Sequence, residues 1–454
     1  MASKNQVNMC EGPIAKQLIA FAIPVLLTSI CQALFHTADL IVVGKLSGDA
    51  NSLAAVGATT SITTLLIGLF NGLALGAGIC ISNYFGAKDK KSLEECTHTA
   101  MTLSLVVGAI IMLLGILLAK PLLLLLHTPK EILGKASLYL IITFIGTPFS
   151  VIYTYCASIL RAVGDSKRCF YYITASGIVN VILNIIFVLF FKMDVSGVAA
   201  ATAISHVLSA SLSVRYLMRF DGWVKLNPKK LGFDIFQLKL IIRTGVPLGL
   251  SSSCYSISAM LVQSAVNTLG LDAVGGNTAA TNLGNYVYYA MNSICSAIST
   301  FAAQNYGARN FQRIKKAACT STVMIICIGT ALGVLFTVFY KFFLGLYTDV
   351  DAEIQYGRFR LLYFTLPYAI YGLIDMFGGI LRGMRRSFTT MLVSLIGICG
   401  IRVLWIMTVF KVYGNVHALY SSYPVSWVIT LTVFIILYSV VFKKESKNEI
   451  PHHF

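Results

Sequence analysis

Twelve apolar stretches of about 20 residues or more, bounded by charged or turn-forming residues, recur along this 454-residue chain. A stretch of that length matches the hydrocarbon thickness of a bilayer. They fall at roughly 17–44, 53–81, 95–119, 136–160, 169–191 and 195–217, then at 238–269, 275–304, 317–340, 356–381, 388–410 and 415–442. None alternates as a lipid-exposed strand would. Each is therefore predicted to be a helix, which satisfies its own backbone groups in lipid. The expected fold is an all-α membrane protein. Composition agrees: 12% of residues are charged, against about 25% in soluble domains.

The net charge of +17 would suggest nucleic acid if the basic residues formed a patch. They do not. With the N-terminus taken as cytoplasmic, 24 of the 35 Lys and Arg fall in inside loops and 7 outside, and Arg243, Arg358, Arg360 and Arg402 lie in spans or at their edges. That bias is the positive-inside pattern. It predicts a multi-pass protein of the cytoplasmic membrane with both termini cytoplasmic, bound by lipid and not by nucleic acid. The opening "MASKNQVNMCEGPIAKQ" is polar, and the apolar run after it is too long for the core of a cleavable signal. The eleven cysteines include no CxxC pair and are expected to be packing residues without metal or redox chemistry. The closing "PHHF" is too short to interpret.

The chain repeats. "LIAFAIPVLLTSI" (18–30) corresponds to "LIIRTGVPLGLSS" (240–252), so Pro24 matches Pro247. "SNYFGAKDKK" (82–91) corresponds to "AQNYGARNFQRIKK" (303–316), pairing Gly86 with Gly307; "ASILRAVGDSKR" (157–168) corresponds to "GGILRGMRRS" (378–387), pairing Arg161 with Arg382. The last two offsets are both 221. An even number of spans per half makes the halves parallel repeats, a plan found in transporters with a cavity between two lobes. The expected division is an N-lobe over 1–217 (helices 1–6), a cytoplasmic linker over 218–237 and a C-lobe over 238–454 (helices 7–12).

Charge inside these spans is scarce and therefore informative. Asp39, in "FHTADLIVVG" (35–44), is the only acid between Leu18 and Val43, and an acid at mid-bilayer costs about 2.5–3.5 kcal/mol on insertion scales. Gln32, His36 and Asp39 follow at i, i+4 and i+7 and share a helix face. Asn180 and Asn184 lie one turn apart on the fifth span, and Thr202 lies on the sixth. Counting from the outer helix ends places Asn184, Thr202 and Asp39 at one level, roughly 8–10 Å in. Such a set admits two uses. A carboxylate in low dielectric can load and release a proton. A carboxylate with amide and hydroxyl oxygens can also hold a hard cation such as sodium.

A proline-led first helix reaching "AD..VVG", "YFGA"/"NYGA" after helices 2 and 8, and "ILRA.GD"/"ILRG" after helices 4 and 10 together resemble the multidrug and toxic compound extrusion (MATE) family over nearly the whole chain. The resemblance implies a twelve-helix antiporter in which the first-helix acid, here Asp39, is the coupling residue. It also implies an N-lobe ion site on Asn180, Asn184 and Thr202. Many relatives carry an acid where this chain has Asn184, so one negative charge remains. That favours proton coupling, with sodium at Asp39, Asn180, Asn184 and Thr202 as the other choice. One branch has acids in helices 7 and 10 at positions that are Tyr255 and Tyr371 here, so that branch's C-lobe ion site is expected to be absent.

Asp375 is expected to pair within the Arg382–Arg386 cluster, and Arg402 with a carbonyl or carboxylate of its lobe. Helix 8 carries Thr278, Asn282, Asn285, Tyr289 and Asn292 along one side, a stripe that must face protein or a water-filled path. Tyr255, Met260, Tyr286 and Tyr371 could offer faces to an organic cation, with Gln32, His36 and Asn282 as further substrate-cavity candidates. Pro24 is a candidate hinge because proline interrupts the helix ladder.

The expected activity is export of small, cationic organic compounds by a monomeric secondary antiporter using alternating access. No Walker A motif occurs, so no ATP is required. A lipid-linked oligosaccharide flippase of the same superfamily is the alternative, and it would call for a more cationic cavity. An enzyme would need paired acids or metal-spaced histidines, and the seven histidines are scattered.

Overall fold

The computed structural model describes residues 7–46 and 50–447. Twelve long helices account for most of the described chain: α1 (Ile14–Leu46), α2 (Ala50–Ala87), α3 (Lys90–Leu125), α4 (Lys130–Ala162), α5 (Ser166–Phe190), α6 (Val195–Met218), α7 (Ile235–Asn267), α8 (Leu271–Gly307), α9 (Phe311–Val338), α10 (Asp351–Gly383), α11 (Ser387–Tyr413) and α12 (Val416–Ser446). Among the described residues, ten of them are long and apolar enough to cross a membrane; α2 and α8 are the other two. Several outrun their apolar stretches because charged residues extend the helix past the hydrocarbon. α3, for example, begins at Lys90 and carries Glu94 and Glu95 in its second turn.

Two of the three paired motifs form turns between helices, and three of those four turns lead into a side-chain helix cap. Lys88 and Arg309, 221 residues apart, are both left-handed, with φ of 57° and 55°. Gly164 and Arg385, also 221 apart, have φ of 88° and 63°. After the first pair, Asp89 caps α3 by accepting from the Ser92 N–H at 3.2 Å, and Asn310 caps α9 by accepting from the Arg313 N–H at 3.1 Å. The bonds to Ser92 hold the Asp89 carboxyl below the usual range. Asp165 caps α5 and pairs with Arg168 at 2.8 Å, and burial pushes its carboxyl up despite that neighbour. Such caps satisfy the first orphan N–H groups of a helix.

Four turns inside the long helices are π-helical: Ile186–Phe190 in α5, Leu361–Thr365 in α10, and Leu395–Gly400 and Ile406–Phe410 in α11. Such turns re-aim the side chains beside them and cluster at functional sites. Asn184, Arg360 and Arg402 each lie within five residues of one.

Two compact units arise: residues 7–8 with Leu27–Gly249, and Met9–Leu26 with 250–447. The chain crosses from one to the other three residues after Pro24 in α1 and three after Pro247 in α7. In the first unit α4 packs on α2, α3 and α6 around Ile81, Leu93, Val107, Leu140, Phe144 and Leu160. Gly72 and Gly76 of α2 lie directly against Gly249 and Gly245 of α7. A Cβ at Gly72 would stand 2.2 Å from the Gly249 nitrogen, so only hydrogen fits there. In the second unit α8 packs on α9 and α10, and α10 on α9 and α12.

The polar linker folds onto the first unit. Phe220, Val224 and Leu226 are buried in its core, and the Asn227 N–H donates to His98 Nε2 at 3.1 Å.

Candidate functional site

In the first unit, four side chains from three helices form one hydrogen-bonded chain. Asn184 Nδ2 donates to Asp39 Oδ1 at 2.5 Å and to Asn180 Oδ1 at 3.2 Å. Asn180 Nδ2 donates to Thr202 Oγ1 at 3.2 Å, and that hydroxyl donates to the Val198 carbonyl at 2.9 Å. Asn180 and Asn184 are buried and Asp39 is half-buried. An apolar collar of Val42, Val43, Val56, Val188, Val195 and Val198 lies beside the chain. It lowers the local dielectric and strengthens every interaction inside.

The orientation of Asn184 is informative. Its amide nitrogen serves both Asp39 and Asn180, while its own carbonyl oxygen is buried without a partner. This arrangement solvates an ionised carboxylate. Rotated about χ2, the same amide would present an oxygen beside Asp39, Asn180 Oδ1 and Thr202 Oγ1, a set of hard donors that fits one monovalent cation. A proton on Asp39 needs only one such acceptor.

Gln32 and His36, on the Asp39 face of α1, are exposed and stand outside this chain. Tyr139 of α4 packs against the collar, and the Asp39 charge acts on it. One turn away on α4, Lys135 pairs with Asp194 at the start of α6 and donates to Ser52 at 3.3 Å. Sequence reading passed over Tyr139. Its one signal was its place at i+4 from Lys135.

The second unit carries a different chemistry. Tyr255 of α7 meets Tyr371 of α10 edge-on, with ring centroids 6.5 Å apart. Tyr371 lies 5.2 Å from Tyr368 and 5.5 Å from Trp427 of α12, and Phe364 and Tyr423 close on the same indole. Of the sequence candidates, only Tyr255 and Tyr371 belong to this box. Met260, Tyr286 and Asn282 are exposed, and Tyr286 instead meets Tyr289 edge-on, with ring centroids 6.4 Å apart. Trp427 was missed because a lone tryptophan in an apolar run gives no periodic signal.

Thr278, Asn282 and Asn285 of α8 are exposed, whereas Ala279, Ala280, Leu283 and Val287 on the other side are buried. The polar stripe thus faces outward from the packed unit.

Asp375 pairs with Arg382, Oδ1 to Nη2, at 2.9 Å. Arg402 differs from expectation. Among the described residues it has no carboxylate or carbonyl partner: Nη1 donates to Ser258 Oγ at 3.3 Å, and the guanidinium stacks over Tyr423 at 4.4 Å. It sits between two π-helical turns, and these contacts are to α7 and α12. Among the described residues there is no disulfide and no His/Cys/Asp/Glu group that could hold a metal.

The MatE family model matches residues 24–186 and again 247–408, each match opening on one of the two paired prolines. A probable multidrug resistance protein of Bacillus subtilis, YoeA, is 28% identical over 95% of this chain and 94% of its own length. The multidrug export protein MepA of Staphylococcus aureus is 24% identical over 94% of both chains. Among solved structures, an outward-facing multidrug resistance MATE transporter of the MOP superfamily aligns with a TM-score of 0.90 at 21% identity, covering 98% of this chain and 100% of its own. A MOP superfamily transporter from Pyrococcus furiosus, described as having a binding pocket of reversed polarity, aligns with a TM-score of 0.91 at 21% identity over 98% and 99%.

Proposed function

Because the chain belongs to the MatE family of multidrug efflux transporters, we propose that it is a secondary antiporter, with Asp39 as the coupling acid, that exports small organic compounds by alternating access. The observation that carries this reading is the Asp39–Asn184–Asn180–Thr202 chain, which places one carboxylate inside a membrane-length helix bundle with its solvation supplied by protein. When Asp39 is ionised the Asn184 amide compensates it. When an ion loads, that bond weakens and α1 is free to move.

Protons are the preferred coupling ion. A single carboxylate balances one proton without further charge, whereas sodium would require the Asn184 amide to turn over. The hinge we assign is Pro24, and the passage of α1 from one compact unit to the other three residues after it supports that assignment. The lobes are 1–217 and 238–454 joined by the linker 218–237, in a cytoplasmic membrane, with both termini cytoplasmic and one chain per transporter. Substrates are organic cations that meet the ring faces of Tyr255 and Tyr371, and the outward polar stripe of α8 lines their aqueous path.

The test is reconstitution in liposomes, following ethidium under an imposed pH or sodium gradient for wild type and Asp39→Asn. The expected result is transport driven by the pH gradient in wild type and by neither gradient in the variant. Equal dye movement in both proteins would overturn the role of Asp39.

A further inference from the structure

The second unit holds two arginines, Arg360 and Arg402, each only 6% exposed. None of the ion pairs among the described residues includes either one. Arg360 Nη1 donates to Asn277 Oδ1 at 2.7 Å and to the Tyr423 hydroxyl at 3.5 Å. Arg402 Nη1 donates to Ser258 Oγ at 3.3 Å. Both guanidinium groups lie over the Tyr423 ring, at 5.6 and 4.4 Å. The Nε of each is buried with no partner. A buried charge is ordinarily paired with an opposite charge or neutralised. Arginine does not lose its proton in proteins, and the rings of Phe364, Tyr420 and Tyr423 with a few neutral oxygens offset only part of the cost.

The location of this pair is as informative as its charge. The repeat offset of 221 carries Thr202 onto Tyr423, and Asn180 onto Ile401, next to Arg402. The π-helical turn after Asn184 in α5 recurs in α11 just after Arg402. The second unit therefore has a polar cluster at the repeat-related place of the Asp39 cluster, with the opposite sign. One unit offers a carboxylate and oxygens; the other offers guanidinium groups with unpartnered N–H.

We propose that Arg360 and Arg402, with Ser258, Asn277 and Tyr423, form a binding site for one small monovalent anion, a halide or a carboxylate group. The anion accepts hydrogen bonds from the guanidinium groups and supplies the negative charge that this unit lacks there. Its presence would keep α7, α10, α11 and α12 together around Tyr423.

The experiment is a titration of the purified full chain in nanodiscs with chloride, bromide and acetate against gluconate at constant ionic strength. Thermal unfolding is one readout. Fluorescence of Trp427, isolated by Trp223→Phe and Trp405→Phe, is the other, since its ring lies 5.8 Å from Tyr423. The expected result is a saturable bromide quench of Trp427 together with a rise of about 3 °C in unfolding temperature. Arg402→Lys keeps the charge but loses the forked donors, and should weaken apparent affinity roughly tenfold. Ser258→Ala tests the pocket without touching charge, should Arg402→Gln fail to fold. Competition by acetate would identify an organic carboxylate as an equivalent occupant, and a halide response alone would identify a free inorganic ion. Absence of any saturable response in folded wild type, or an unchanged response in both Arg402→Lys and Ser258→Ala, would overturn the proposal.

Discussion

Asn184 donates to Asp39 across α5 and α1 at 2.5 Å while its own carbonyl oxygen stays buried and unpartnered. Exchanging that amide for a second carboxylate reverses what the pocket prefers. Two adjacent carboxylates cannot both stay ionised without a cation or a shared proton. Asn184→Asp should therefore create or enlarge a sodium response. Sodium-driven dye transport in liposomes is expected to rise at least about tenfold, a change of ~1.4 kcal/mol in coupling. A sodium response unchanged from wild type would show that Asn184 is remote from the ion.

The α2–α7 crossing rests on glycine. At Gly72 a methyl group would stand 2.2 Å from a backbone nitrogen and 2.5 Å from the Gly249 Cα, with no flexible side chain to yield. Gly72→Ala must push the helices apart, and overpacking of this kind costs about 1–3 kcal/mol. Thermal unfolding in detergent should fall accordingly. Gly57→Ala on the same helix meets nothing within 4 Å and serves as the control expected to be neutral.

Much of this architecture was legible because lipid imposes simple rules. Length and hydropathy mark the spans, and depth counted from the helix ends brings Asp39, Asn184 and Thr202 to one level. The rest depended on geometry that sequence periodicity does not carry. π-helical turns shift every side chain beyond them out of the 3.6-residue register, so the directions of Arg360 and Arg402 could not be read from spacing. The box around Trp427 draws on α7, α10 and α12, whose contacts are long-range. Gln32 and His36 share the face of Asp39 by periodicity, yet are exposed and stand outside its hydrogen-bonded chain; one to two turns before Asp39, α5 meets α1 through Gly177 against Phe35 and Thr174 against Cys31 instead.

His98 holds the linker through a defined tautomer. Nε2 receives the Asn227 N–H at 3.1 Å and must be an acceptor, so Nδ1 is the donor to the Glu94 carbonyl at 2.8 Å. Lys230 adds a bond to Glu94 at 2.6 Å, and the Thr99 hydroxyl accepts from the Asp234 N–H at 3.1 Å. His98→Ala removes the buried acceptor and leaves an N–H unpaired, at a cost of about 1–3 kcal/mol. The linker should open more often. Trypsin cleavage at Lys229 and Lys230 is expected to accelerate about fivefold or more, with the global unfolding temperature changing much less. Cleavage at the wild-type rate would mean that Phe220, Val224 and Leu226 hold the linker on their own.

Paired variants of Tyr371 would separate ring chemistry from hydroxyl chemistry in the proposed substrate contact. Its ring lies among Tyr255, Tyr368 and Trp427, with neighbouring centroids at 6.5, 5.2 and 5.5 Å. If the ring face attracts an organic cation, Tyr371→Phe should keep that attraction and Tyr371→Leu should lose it, by about 0.5–2 kcal/mol. The apparent KM for ethidium would then rise roughly 2- to 30-fold in the leucine variant and little in the phenylalanine variant. A neutral dye of similar size should show no such split, because it draws on area and not on the ring quadrupole. Equal losses for charged and neutral dyes would assign Tyr371 to packing around Trp427, which unfolding temperatures of the two variants would register directly.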